Sequence, residues 1–193
     1  DQRLSRGLGD VYKRQGVPLG VIASYNKWYR DIQNVVLDAM QTLPYFCYLI
    51  PVLMFFGGNI VSAVIATVIY SVPPIIRLTA LGLSQVSGSY SEVSKSFGGT
   101  GIQTLNKVKF PLAVPSLVMG FNQTVIMAFA MQIVTPLIGG KGLGLQVFNA
   151  LQRSDTGRGL SAGLAIVLLA IIIDRITHAW TKKQRQALGL DKS

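Results

Sequence analysis

Charged residues are scarce in this sequence: they make up 13% of the 193 positions, whereas hydrophobic residues make up 50%. A soluble domain needs more polar groups to cover its surface, so this composition indicates a membrane protein. Acidic residues are rarer still, with 8 against 18 lysines and arginines. The net charge of +10 does not predict a nucleic-acid partner, because the basic residues lie between or beside apolar stretches, as in the cytoplasmic loops of membrane proteins.

The residues that build catalytic and metal centres are also missing. The sequence has one cysteine, Cys47, and one histidine, His178, too few for an intrachain disulfide or a Cys/His metal cluster. His178 lies beside Arg175 and Trp180, without the neighbours that a catalytic Ser-His-Asp set requires. The glycine-rich segment 139–144 contains Lys141, but no serine or threonine follows that lysine, which excludes a phosphate-binding loop. We therefore expect no enzyme activity, no metal and no cofactor bound by this chain. At 139–144 we expect a turn or re-entrant segment with close backbone packing.

Long apolar runs are what the sequence does have. A helix needs about 20 apolar residues to cross the hydrocarbon core of a bilayer. A shorter run at 16–24 looks like the tail of a further span. We expect an all-α, polytopic membrane protein in which residues 16–193 form one domain. The segments long enough to cross are 35–56, 59–83, 110–135 and 160–180.

The first fifteen residues, DQRLSRGLGDVYKRQ, differ in composition from everything that follows. They are polar and charged and lack the apolar core of a secretory signal. We predict that residues 1–15 are non-native or disordered. Together with the short run at 16–24, this predicts a helix bundle that is truncated at its N-terminus. The alternative is a genuine basic arm in the cytoplasm.

Prolines interrupt the apolar segments, for example Pro44, Pro73 and Pro115. Neighbouring helices in a bilayer can absorb such kinks, and kinked helices dotted with polar residues favour a moving transporter over a simple anchor. Polar side chains in these segments either line a water-filled path or hydrogen-bond between helices, and both readings stay open. The candidates for path lining are Asn122, Gln123, Thr124 and Gln132.

The basic residues orient the predicted spans. Lys27 and Arg30 precede the first full span, which assigns that end to the cytoplasm. Alternation then assigns the loop 84–109, with its lysines, to the cytoplasm as well. The region 136–159 is predicted to be external.

This cytoplasmic loop carries a spaced motif that continues into the next span and consists of Glu92, Gly98, Val108, Phe110 and Pro111. It resembles the loop of binding-protein-dependent ATP-binding-cassette (ABC) permeases, which reads E-A-A, three residues, G, nine residues, I-x-L-P. Val93 and Ser94 stand in place of the two alanines, and the spacing is unchanged. An ordinary amphipathic connector has no reason to keep this spacing.

The chain also contains the strings LDAMQTLP (37–44), PPIIRLTALG (73–82), SFG (96–98), KFPLAVPS (109–116), NQT (122–124) and DRIT (174–177). In these strings it resembles the glycine betaine/proline betaine permeases of the osmoprotectant-uptake branch. This resemblance implies the helix bundle of a type I importer permease in the cytoplasmic (inner) membrane of a bacterium or archaeon. It also implies four kinds of partner: an ABC ATPase subunit that binds the ATP, an extracytoplasmic solute-binding protein, a second permease copy in a homodimer, and membrane lipid. The expected cargo is glycine betaine, proline betaine or a related quaternary amine.

The same resemblance implies that residues 89–99 form a short coupling helix that docks into a groove of the ATPase subunit. We expect Phe97 to be the apolar anchor and Glu92 to lie near the helix start, where the dipole favours an acid. Gly98 and Gly99 are expected to end the helix with positive φ. The predicted docking residues are Glu92, Val93, Ser94, Phe97, Gly98 and Gly99.

Two other classes of function stay open on the sequence alone. An ATP-independent secondary transporter or channel needs intramembrane ion-coupling carboxylates, and Asp38 and Asp174 both lie near the predicted inner boundary. A non-transporting membrane scaffold has little use for kinked helices with polar residues. An ATPase partner distinguishes the importer from both.

Overall fold

The computed structural model describes residues 16–187, and within them the chain is helical without a strand. The predicted all-α class is therefore confirmed for this part of the chain. The segment 1–15, predicted to be non-native or disordered, lies outside the described residues. The helices are α1 (Val17–Tyr25), α2 (Lys27–Thr42), α3 (Phe46–Phe56), α4 (Ile60–Ser71), α5 (Pro73–Ser84), α6 (Gly88–Ser96), α7 (Gly101–Thr104), α8 (Phe110–Gln132), α9 (Leu143–Gln152) and α10 (Thr156–Ala187). A π-helical turn (Leu105–Lys109) precedes α8, and a 3₁₀ turn (Thr135–Ile138) follows it.

Three helical segments among the described residues are long and apolar enough to cross a membrane. They are Ile60–Ser84, Gly101–Gln132 and Thr156–Lys183. Each overlaps a span that the sequence predicts. The first contains α4 and α5, and the second contains α7, the π turn and α8. The π turn and α8 therefore continue the helix that begins at α7.

The predicted segment 35–56 is not one straight helix. α2 ends at Thr42, α3 begins at Phe46, and the two helices are bent by 93°. Pro44 accounts for the break, because a proline lacks the N–H that a helix needs and disfavours helical backbone at the preceding residue, Leu43. The bent pair adds a fourth span if it crosses the membrane as one broken segment.

The described residues form two compact units. Unit 1 consists of residues 16–36, 74–121 and 176–187, and unit 2 of residues 37–73 and 122–175. In unit 1, Leu83, Ala113 and Leu117 form the buried core. α1 packs closely on α5, since a Cβ added at Gly20 would lie 2.5 Å from the Cβ of Thr79. Small residues permit this close approach of helix backbones.

Unit 2 is built around a core from α3, α4, the end of α8 and the 3₁₀ turn. The tightest approach is at Gly144 at the start of α9, where an added Cβ would lie 1.8 Å from the carbonyl oxygen of Gln132. Gly139 has a φ of +91°, and its added Cβ would lie 2.7 Å from the backbone nitrogen of Asn59. The close backbone packing predicted for 139–144 is thus confirmed. The buried core residues are Leu49, Val52, Ala63, Ala66, Met131 and Ile138.

α10 presents most of its apolar side chains outwards. Only 11% of the residues in its most apolar stretch are buried. Leu164, Leu168, Ile172 and Ile176 recur every fourth residue along one exposed side. Exposing such a stripe to water would cost about 25 cal/mol per Å² of apolar surface, so α10 requires an apolar environment such as the bilayer.

Candidate functional site

The loop between α5 and α8 carries an exposed apolar stripe on α6. Tyr90, Val93 and Phe97 are spaced i, i+3 and i+7, which aligns them on one side of a helix. Their exposed fractions are 51%, 55% and 88%. We call these three residues the docking stripe. A nearly fully exposed phenylalanine at the end of such a stripe is typical of a surface that a partner covers.

The other side of α6 is held to the chain by polar contacts. The hydroxyl of Ser94 lies 2.8 Å from that of Thr104, which is buried at the end of α7. The Cβ that Gly99 lacks would lie 2.6 Å from the Ser94 hydroxyl oxygen. Ser94 therefore faces α7, and this contact orients the docking stripe away from it.

A two-glycine motif ends α6. Gly98 has a φ of +76°, its N–H donates to the carbonyl of Lys95, and the N–H of Gly99 donates to the carbonyl of Ser94, each at 2.9 Å. This is the Schellman motif, in which a left-handed residue satisfies the last helix carbonyls. Gly98 supplies the positive φ that the sequence predicts. Gly99 is required for space rather than for positive φ, which corrects the prediction for that residue.

The helix-dipole explanation for Glu92 is wrong. α6 begins at Gly88, its first turn contains no acidic residue, and Glu92 lies in its middle with an exposed side chain. The helix starts one residue earlier than expected, and Ser87 holds its N-cap position without a side-chain capping bond. Glu92 is therefore available to a partner, and its position does not stabilise the start of α6 through the dipole.

The second half of the loop motif forms the entry into α8. Val108 lies in the π turn, and Phe110 and Pro111 are the first residues of α8. The wider turn has a physical cause, because in a regular α-helix the ring of Pro111 would clash with the carbonyl of Lys107. Phe110 is 36% exposed, and Val108 and Pro111 are half-buried.

Sequence reasoning missed how α7 starts. The side chain of Thr100 accepts from the N–H of Gln103, and the side chain of Gln103 accepts from the N–H of Thr100. This capping box has a recognisable signal, a threonine followed three residues later by a glutamine. It lies directly after the two-glycine turn, so both sides of the turn are fixed by hydrogen bonds.

The predicted path-lining residues separate into two pairs. Asn122 and Thr124 are buried, whereas Gln123 and Gln132 are exposed. The amide nitrogen of Asn122 donates to a carboxylate oxygen of Asp174 at 2.6 Å, which joins α8 to α10. Of the two roles predicted for these polar residues, hydrogen bonding between helices is therefore confirmed for Asn122. Path lining by any of the four residues stays a prediction.

We expect Asn122→Ala to destabilise the protein, because the Asp174 carboxylate loses this donor inside an apolar segment. Interhelical hydrogen bonds in membranes contribute about 1 kcal/mol, and those to charged groups somewhat more. A thermal unfolding scan in detergent should show a lowered midpoint. Gln123→Ala, an exposed neighbour on the same helix, should leave the midpoint unchanged. Equal midpoints for both variants would show that the bond does not stabilise the protein.

Comparison with known proteins gives three results. A sequence model of the family described as "binding-protein-dependent transport system inner membrane component" matches residues 16–186. The chain is 45% identical over 170 residues to the glycine betaine/carnitine transport permease protein GbuB of Listeria monocytogenes, covering 88% of the chain and 60% of that protein. It is 43% identical to the glycine betaine/proline betaine transport system permease protein ProW of Escherichia coli, covering 88% of the chain and 48% of that protein. The chain thus spans between about half and three fifths of these curated relatives.

The fold also matches a solved structure. A chain of the MetNI methionine ABC transporter, crystallised in inward-facing conformations, superposes with a TM-score of 0.82. The match covers 95% of the present chain and 92% of the other at 19% sequence identity. At this identity the likeness concerns the fold alone.

Proposed function

Because the chain belongs to the family of inner membrane components of binding-protein-dependent transport systems, we propose that it is the permease subunit of an ATP-driven importer of small compatible solutes. It is a multi-pass protein of the inner membrane. The observation that carries the proposal is the docking stripe, an exposed apolar surface on a short helix within the family's loop motif.

The proposed partners follow from the surfaces and the family. A separate ABC ATPase subunit binds and hydrolyses ATP and covers the docking stripe, with Phe97 as its anchor. An extracytoplasmic solute-binding protein delivers the solute, and a second copy of the chain completes the path. The membrane lipid covers the exposed apolar side chains of α10.

The connection between α6 and α8 suggests how force is transmitted. α6 joins the continuous segment Gly101–Gln132 through a turn whose N–H groups are bonded on both sides. A movement of α6 with the ATPase therefore displaces the start of α8 instead of being absorbed by a flexible loop. In the proposed cycle, ATP draws two such helices together, and the bundle alternates between outward and inward access.

The proposed solute is glycine betaine, proline betaine or a related quaternary amine. This rests on relatives that are named as glycine betaine permeases. We propose that solute selection belongs largely to the solute-binding protein, where aromatic side chains can surround a quaternary ammonium group by cation–π attraction. Uptake of labelled glycine betaine by the reconstituted complex tests the proposal, and uptake without ATP would instead support a secondary transporter or channel.

Side-specific labelling tests the proposed orientation. Cys47 is exposed, so it is first replaced by serine. A cysteine at Ser96, exposed at the end of α6, should then react with an impermeant maleimide only from the cytoplasmic side. A cysteine at Gln152, exposed at the end of α9, should react only from outside. External labelling at Ser96 would rule out an ATPase contact there.

A further inference from the structure

Unit 1 contains a cavity of about 570 Å³, lined by α1, α5, α8 and α10. This volume lies within the range of about 300–1,000 Å³ typical of ligand pockets. No charged side chain lines it, and most of its wall is aliphatic or aromatic. Such a wall offers nothing to replace the hydration of an ion or a zwitterion, so it is suited to a hydrocarbon group. Its lining residues include Phe110, Val114, Phe121, Ile176 and Trp180.

The cavity wall is accessible from outside the bundle. Ile176 is 65% exposed, Trp180 53% and Phe110 36%, although all three line the cavity. Ile176 and Trp180 belong to the membrane-capable segment Thr156–Lys183, and Phe110 to Gly101–Gln132. In a bilayer, an opening between these two helices would face the lipid.

Basic residues lie beside the cavity lining, before the start of α8 and near the end of α10. Lys107 precedes Phe110, and Lys182 and Lys183 follow Trp180. All three lysines are exposed. Ile176, Trp180 and Lys183 are spaced i, i+4 and i+7 and so share one side of α10. The stretches 105–121 and 176–187 contain no acidic residue, so nothing in them neutralises these charges.

We propose that this cavity binds an acyl chain of an anionic phospholipid, whose phosphate is held by Lys183, while Lys182 and Lys107 add positive charge at the same end of the helices. The apolar cavity matches the acyl chain of such a lipid, and the lysines at its end match the anionic headgroup. Basic pockets of this kind select anionic headgroups, and each lysine near the surface contributes about a fivefold preference. A zwitterionic lipid fits the cavity equally well but gains no such preference.

Quenching of Trp180 fluorescence tests this site. The sequence has two tryptophans, so Trp28→Phe leaves Trp180 as the single reporter. The purified protein is placed in phosphatidylcholine vesicles containing increasing fractions of either dibrominated phosphatidylglycerol or dibrominated phosphatidylcholine. We expect half-maximal quenching at a mole fraction about fivefold or more lower for phosphatidylglycerol. The double variant Lys182→Gln/Lys183→Gln should lose this preference.

The control is Lys95→Gln/Lys141→Gln, which removes the same charge at two exposed lysines away from the cavity lining and should keep the preference. Equal quenching by both lipids would reduce the site to ordinary lipid contact and overturn the proposal. The proposal is also overturned if the preference for phosphatidylglycerol survives in the Lys182/Lys183 variant, or if the control loses it to the same extent. No quenching by either lipid would mean that protein covers the cavity, which also overturns it.

Discussion

Gly98→Val is expected to lower ATP-driven solute uptake by about tenfold or more while the chain still inserts into the membrane. Gly98 has a φ of +76°, and a β-branched residue at such a φ stores about 1–3 kcal/mol of strain. Each 1.4 kcal/mol is a factor of about ten in an equilibrium. Among the residues that the structure describes, none other than its chain neighbours has an atom within 4 Å of the added Cβ, so the effect comes from the backbone and not from a clash. The strain is released only if the turn after α6 rearranges, which moves Phe97.

The measurement is solute uptake and binding-protein-stimulated ATP hydrolysis by the complete complex in proteoliposomes, and both should fall together. Gly57→Val is a matched control, because Gly57 has a φ of +73° and also has open space around its added Cβ. Its ψ of 178° places it in a backbone region that is essentially restricted to glycine, so Gly57→Val introduces strain between α3 and α4. It should nevertheless leave uptake close to that of the wild type. If Gly98→Val takes up solute at the wild-type rate, α6 is only a connector between helices and does not couple the ATPase to transport.

The fold class and the family could be predicted from the sequence because both depend on local signals. Apolar runs of span length identify the membrane helices without tertiary information. The loop motif is read from spacing alone, and the positive φ at Gly98 follows from the need to end a short helix. The exposed position of Phe97 fits the same reading, since an apolar side chain in a polar loop has no core to enter.

The rest depends on contacts between residues far apart in the sequence. Asn122 and Asp174 were each recognised as polar residues in apolar segments, but no local pattern pairs residues 52 positions apart. The requirement for glycine at 144 arises from the carbonyl of Gln132, which only the folded chain brings there. Pro44 predicts a kink from the sequence, but a proline does not fix the angle of the bend. The angle of 93° is seen only in the folded chain.

The glutamate of the loop motif shows how a correct residue can carry a wrong explanation. Glu92 was identified by spacing, and the dipole argument depended on where α6 begins. The structure places that start at Gly88, so that Glu92 falls in the middle of the helix. Glu92 then lies on an exposed helix surface near the docking stripe, where its charge can meet a basic partner.

Co-purification of an ATPase subunit with Phe97→Ala tests the central claim, that the docking stripe binds the ATPase, most directly. Phe97 and Phe55 are similarly exposed, at 88% and 84%, so Phe55→Ala removes equal apolar surface from α3. Truncating an aromatic anchor costs about 2 kcal/mol or more, which is roughly thirtyfold in affinity. We predict that the wild type and Phe55→Ala retain the ATPase through purification, whereas Phe97→Ala loses most of it. Equal retention by all three would contradict the account.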